Sequence, residues 1–203
     1  MFNYFNSLHN NNKGILLAFA GVMILTPDTL FMRLSELERW QMVGWRGVLM
    51  GITLFIIWLC FMKKNPRKEL ISIITVPGIL VMISMAFNSI NFTLGVAETS
   101  IMVVLTALAT MPLFAAVLSV FLLKERQPLL GWLILIIAII GVGIVVNDGN
   151  NASNIPDGSV ILGGFYGLMT ALGLAFTFTL ARKYEWLAVI PATCVASLIS
   201  GII

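Results

Sequence analysis

Seven stretches of this chain are apolar for long enough to cross a bilayer: Gly14 to Arg33, Trp40 to Met62, Leu70 to Leu94, Ser100 to Leu123, Leu129 to Val146, Ser159 to Ala181 and Trp186 to Ile203. A helix needs roughly 20 such residues to traverse about 30 Å of hydrocarbon. Little of the 203-residue chain lies outside these runs. The composition agrees, with 59% hydrophobic and only 10% charged residues and a mean hydropathy of +1.00, far from the balance of a water-soluble domain. In lipid every backbone amide must be satisfied internally, which leaves helices or a closed barrel. Barrel strands alternate polar and apolar positions over about ten residues, and these runs are continuously apolar. The expected fold class is all-α, a polytopic membrane helix bundle. A cleaved signal peptide is not expected, because the first run is long, ends in charge and lacks a small-x-small cleavage pattern.

The cations give the orientation. Lys13, Lys63, Lys64, Arg67, Lys68, Lys124, Arg126, Arg182 and Lys183 fall on one side of the expected spans, against Arg33 and Arg39 on the other, a ratio of nine to two. The basic side is cytoplasmic by the positive-inside rule, so residues 1–13 form a polar cytoplasmic leader in a multi-pass protein of the cell inner (plasma) membrane. The net charge of +3 thus belongs to topology and leaves no nucleic-acid footprint. The outer connections are expected to carry the acids Glu36, Glu38, Glu98, Asp148 and Asp157. Asn151-Ala-Ser153 matches a glycosylation triplet, which a loop this rich in Asn and Gly produces readily.

The one long polar connection, residues 147–158, divides five spans from two. Gly14 to Arg33 laid over Gly164 to Lys183 matches in length, opening glycine and terminal cation, and the following spans open on Trp40 and Trp186. Five is odd, so a second copy placed after them enters the membrane from the opposite side, as in inverted-repeat transporters. The expected organisation is a first five-helix repeat over 14–146, an external loop, and the start of a second repeat over 159–203. On that reading seven of ten helices are present, and the chain, which stops in mid-span at Ile203, is incomplete.

The stretch AETSIMVVLTALATMPLFAAVLSVFLLKERQPLLGWLILIIAIIGVGIVV, Ala97 to Val146, resembles the EamA-type permeases of the drug/metabolite transporter superfamily. The resemblance rests on Thr99 and Ser100 opening the fourth span, Pro112 within it, Glu125 closing it, and Gly131, Gly141 and Gly143 in the fifth. Trp45-Arg46-Gly47 at the start of the second span is similar too. It implies two inverted five-helix repeats around a central cavity and transport of small polar metabolites, such as amino acids, by alternating access, with export one open direction.

Several residues are too polar or too kinked for plain lipid-facing helices. Asp28 and Arg46 each lie five or six residues from an expected outer end, ~8 Å deep at ~1.5 Å per residue. An isolated ion there costs several kcal/mol, so such groups pair or face a watery cavity. Asp28 and Arg46 are therefore expected within reach of each other or of one outer vestibule. Pro27 lacks an amide hydrogen and frees the carbonyl of Met23, for a packed kink or for gating. Pro112, with Thr106 and Thr110 nearby, poses the same choice between structural kink and cavity lining, as do Asn88 and Asn91. Trp45 is either an interfacial anchor or a cavity aromatic. Gly47 and Gly51, and Gly163, Gly167 and Ala171 with Ala175 and Thr179, form small-residue stripes suited to close helix packing. Glu125, just ahead of Pro128, suits an inner helix start.

Enzyme chemistry is poorly supplied. The single histidine, His9, lies beside an asparagine run, and Cys60 with Cys194 offers neither a metal pattern nor a disulfide framework. No cofactor or metal is expected. The partners are lipid and a small solute. The alternatives to a carrier are a non-transporting membrane scaffold, which would have a filled interior, and an intramembrane enzyme, which would cluster acids with a hydroxyl or histidine at one face.

Overall fold

Thr75 separates two helices that hydropathy joins into one. In the computed structural model, which describes residues 16, 19, 21, 23, 27–61, 66–124, 131–133, 136–137, 139–141, 143–144 and 159–202, its hydroxyl accepts from the Gly78 amide and donates to the Ser72 carbonyl. Pro77 follows in the first turn, where a missing amide hydrogen costs nothing. The spanning helix therefore starts at Val76, and the expected run from Leu70 is corrected to Val76–Glu98. All regular elements are helical, with no strand among the described residues.

The chain divides into two units, Met1–Leu37 and Glu38–Ile203. The first includes helical residues 27–34, here α1, closed by Ser35, whose hydroxyl donates to the Met32 carbonyl at 2.8 Å. The second contains α2 (Arg39–Phe61), α3 (Pro66–Ile74), α4 (Val76–Glu98), α5 (Ile101–Leu108), α6 (Met111–Leu118) continued by a π turn (Ser119–Leu123), α7 (Val160–Lys183) and α8 (Val189–Ile202). Among the described residues, four stretches are long and apolar enough to cross a bilayer: Arg39–Cys60, Val76–Glu98, Ile101–Leu123 and Val160–Lys183. The 14-residue α8 is apolar but shorter. The leader and the 147–158 loop lie outside the described residues.

Burial is inverted relative to a soluble protein. Leu49, Ile52, Phe55 and Ile56 of α2 are exposed, whereas Ser84, Ser89, Thr93, Thr177, Ser197 and Ser200 are buried. Lipid is as good a solvent for leucine as another leucine is, so close backbone approach holds the helices together, and small residues permit it. On α7 the glycines at 163, 167 and 173 face α4 and α5. A Cβ on Gly167 would come within 2.7 Å of Ala107 Cβ, and one on Gly173 within 3.3 Å of Asn88 Cβ. Ser84 Oγ donates to the Gly173 carbonyl at 2.7 Å. Such interhelical bonds in membranes average about 0.6 kcal/mol, so packing outweighs them.

The pairings give directions. Gly95 meets Tyr166 while Asn88 meets Gly173, so α4 and α7 run antiparallel. Thr99 meets Gly163 while Val104 and Ala107 meet Gly167, so α5 and α7 run parallel. Gly44 meets Gly201 while Gly51 meets Leu198 and Cys194, making α2 and α8 antiparallel.

Candidate functional site

Two polar rungs join α2 to α4. At the rim Arg39, opening α2, forms an ion pair with Glu98, the last residue of α4. The arginine side chain is 53% exposed and the carboxylate 5%. Glu98 is thus corrected from a residue of the outer connection to a nearly buried helix terminus. Because its partner is half in solvent, the pair contributes nearer to ~1 kcal/mol than to a buried bridge.

The second rung lies about 10–13 Å further along both helices at ~1.5 Å per residue. There Arg46 Nη1 donates to Ser89 Oγ at 3.4 Å, and the guanidinium carbon stands 5.0 Å from the Phe92 ring centroid. Helix α8 supplies the third side, with Ser200 Oγ 3.4 Å from Ser89 Oγ and donating to the Ser197 carbonyl at 2.8 Å. A hydroxyl has one proton. Ser200's proton is thus shared between the Ser197 carbonyl and Ser89 Oγ, which also accepts from Arg46. The cluster so brings together a cation, two buried hydroxyls and an aromatic face. Helix α8 reaches it because Gly44, Gly47 and Gly201 bring two backbones together: a Cβ on Gly47 would lie 2.6 Å from Gly201 N and 2.7 Å from the Ser197 oxygen.

The other residues expected to line a cavity or gate are spread over several helices. Asn91 is buried and donates to the Phe87 carbonyl at 2.7 Å. Asn88 Nδ2 approaches Met85 Sδ at 3.9 Å, and its buried Oδ1 accepts no hydrogen bond among the described residues, nor does the buried Thr177 Oγ1 take part in one. Thr106 and Thr110 turn back on their own helix, donating to Met102 and Ala107 carbonyls at 2.7 and 2.6 Å. Pro112, exposed in the first turn of α6, follows a break at Ala109 and Thr110. Trp45 is 60% exposed. Pro27 and Asp28 lie in α1 of the first unit. Of the small residues, Gly51 packs against Leu198, Gly163 against Thr99, and Ala171 is fully buried. Glu125 lies outside the described residues.

Sequence reasoning missed Ser89, Phe92 and Ser200. Ser197 and Ser200, three apart in an apolar helix, share one face and were a legible signal. Ser89 had none beyond its type.

No curated protein and no solved structure matches the chain. The family model described as EamA-like transporter family matches residues 12–147, most of the chain and the whole of α2 to α6. With several helices fit to cross a bilayer, small polar residues turned inward and that match, this multi-pass membrane protein belongs to the EamA-like transporter family.

Proposed function

We propose that the protein is a secondary transporter moving small polar metabolites, amino acids or similar solutes, across the inner (plasma) membrane by alternating access. The observation that carries this reading is the Arg46, Ser89, Ser200 and Phe92 cluster, drawn from α2, α4 and α8 at membrane depth. A cation at that depth is expensive unless it meets partners or water, and a scaffold with a filled interior has no use for one.

The reading includes seven crossings and two inverted repeats. The parallel course of α5 and α7 supports a further crossing between them. Helices α7 and α8 then open the second repeat, and α2 meets its counterpart α8 across the glycine contact at the level of Arg46. The nine-to-two cation ratio supports a cytoplasmic amino terminus. Rocking of one repeat against the other would open the cluster to each side in turn.

The test is counterflow of labelled amino acids, sugars and carboxylic acids in vesicles carrying the full chain. Saturable flux of at least one solute above that of empty vesicles is expected. Flux equal to empty vesicles for every solute, with the helices intact by circular dichroism, would remove the reading.

A further inference from the structure

At the opposite end of α2 from the Arg39–Glu98 pair, a cleft of about 250 Å³ opens between α2, α3 and the start of α8. Ile57 and Trp58 form one wall, Ala188, Val189, Ile190 and Pro191 another, and Glu69 stands between them. The carboxylate accepts a hydrogen bond from the Trp58 indole at 2.6 Å. The far wall is pinned from behind, where the Ala188 amide donates to Ser72 Oγ at 3.3 Å. This end of α2 carries the basic connections, including the exposed Arg67, Arg182 and Lys183, and belongs to the cytoplasmic interface by the positive-inside rule.

The lining is apolar apart from one carboxylate and one indole. An ionised carboxylate accepts several hydrogen bonds, and the indole donor uses one of them. What complements the remainder is a cation, and an ammonium also gains from lying near an indole face. A soluble cation would gain nothing from Ile57 and Ile190, whereas Ile57 belongs to a bilayer-spanning helix and Ile190 is half exposed. A ligand with an ammonium, a nearby anion and an apolar body satisfies the carboxylate, the basic surroundings and the isoleucines together.

We propose that this cleft binds the primary-ammonium headgroup of a zwitterionic phospholipid in the cytoplasmic leaflet, the ammonium on Glu69 and an acyl chain along Ile57 and Ile190. The site is separate from the Arg46 cluster and does not depend on the transport reading.

The full chain in detergent would be titrated with phosphatidylethanolamine and with phosphatidylglycerol of identical acyl chains, counting retained lipids by native mass spectrometry. The first lipid is expected to be retained about tenfold more tightly, the scale of one charge-assisted hydrogen bond. Glu69→Gln keeps one acceptor oxygen for the indole and replaces the charge and the second oxygen with an amide donor, and it should erase that preference. Trp58→Phe leaves a weaker cation–π face for the ammonium and should weaken retention with helix content unchanged. Equal retention of the two lipids, or an undiminished preference in Glu69→Gln, would overturn the proposal. So would displacement of the lipid by free ethanolamine at comparable concentration, since the acyl chain would then contribute nothing.

Discussion

Replacing Arg46 with alanine will lower flux of the transported solute by about ten- to a hundredfold per folded molecule. Hydrogen bonds from a charged group are worth ~1.5–3 kcal/mol, and each 1.4 kcal/mol is about a factor of ten. Arg46 has a donor nitrogen on Ser89 and its guanidinium plane near Phe92. Arg46→Lys keeps the charge and loses the planar fork and its stacking, so it should retain an intermediate flux. A clamp with no part in transport behaves otherwise: the yield of folded protein falls, and flux per folded molecule stays at the parent value. Measuring flux together with helix content and monodispersity separates the two.

Gly47→Leu will cost the folded state about 2–3 kcal/mol or more, read as a lower thermal midpoint in detergent micelles. The first added carbon would lie 2.6 Å from Gly201 N and 2.7 Å from both Gly201 Cα and the Ser197 oxygen. These are backbone atoms of a helix and cannot swing aside, so α2 and α8 must part. Overpacking of this kind typically costs 1–3 kcal/mol. Parting also stretches the 3.4 Å Ser89–Ser200 contact and the 3.2 Å Cys194 Sγ to Gly51 carbonyl contact, so flux should fall with stability. Gly141→Ala is the control, because a Cβ there meets nothing within 4 Å among the described residues. An equal midpoint for the two variants would mean that the glycine contact is not what holds α8 to α2.

The helical class was legible because continuous apolar runs of about 20 residues leave a backbone in lipid few other solutions. The span beginning at Trp40 is observed from Arg39 and the one beginning at Ser159 from Val160. Hydropathy failed at Thr75, where a capping hydroxyl and a proline divide an unbroken apolar stretch. It could not see the break at Ala109 and Thr110 within the fourth span either, although Pro112 marked the place. The site was legible only in its ions. Arg46 stood out because charge is rare at that depth, but the order of residues along a helix does not say which helices become neighbours. Ser89 and Ser200 are separated by 111 residues, and serine is ordinary in a membrane helix. Arg39 and Glu98 were both visible near expected helix ends, and only the antiparallel pairing of α2 with α4 made them partners.

The most direct test asks whether the Arg46 cluster is wet. With Cys60 and Cys194 replaced by serine and alanine, Ser89→Cys would be treated in native membranes with a charged, membrane-impermeant thiol reagent. Ile52→Cys, on the exposed apolar face of α2, serves as the dry reference. A cysteine at 89 should react, more slowly once the transported solute is bound, while the one at 52 stays unmodified. A cysteine at 89 as unreactive as the one at 52, from either side of the membrane, would contradict a water-filled route through these helices.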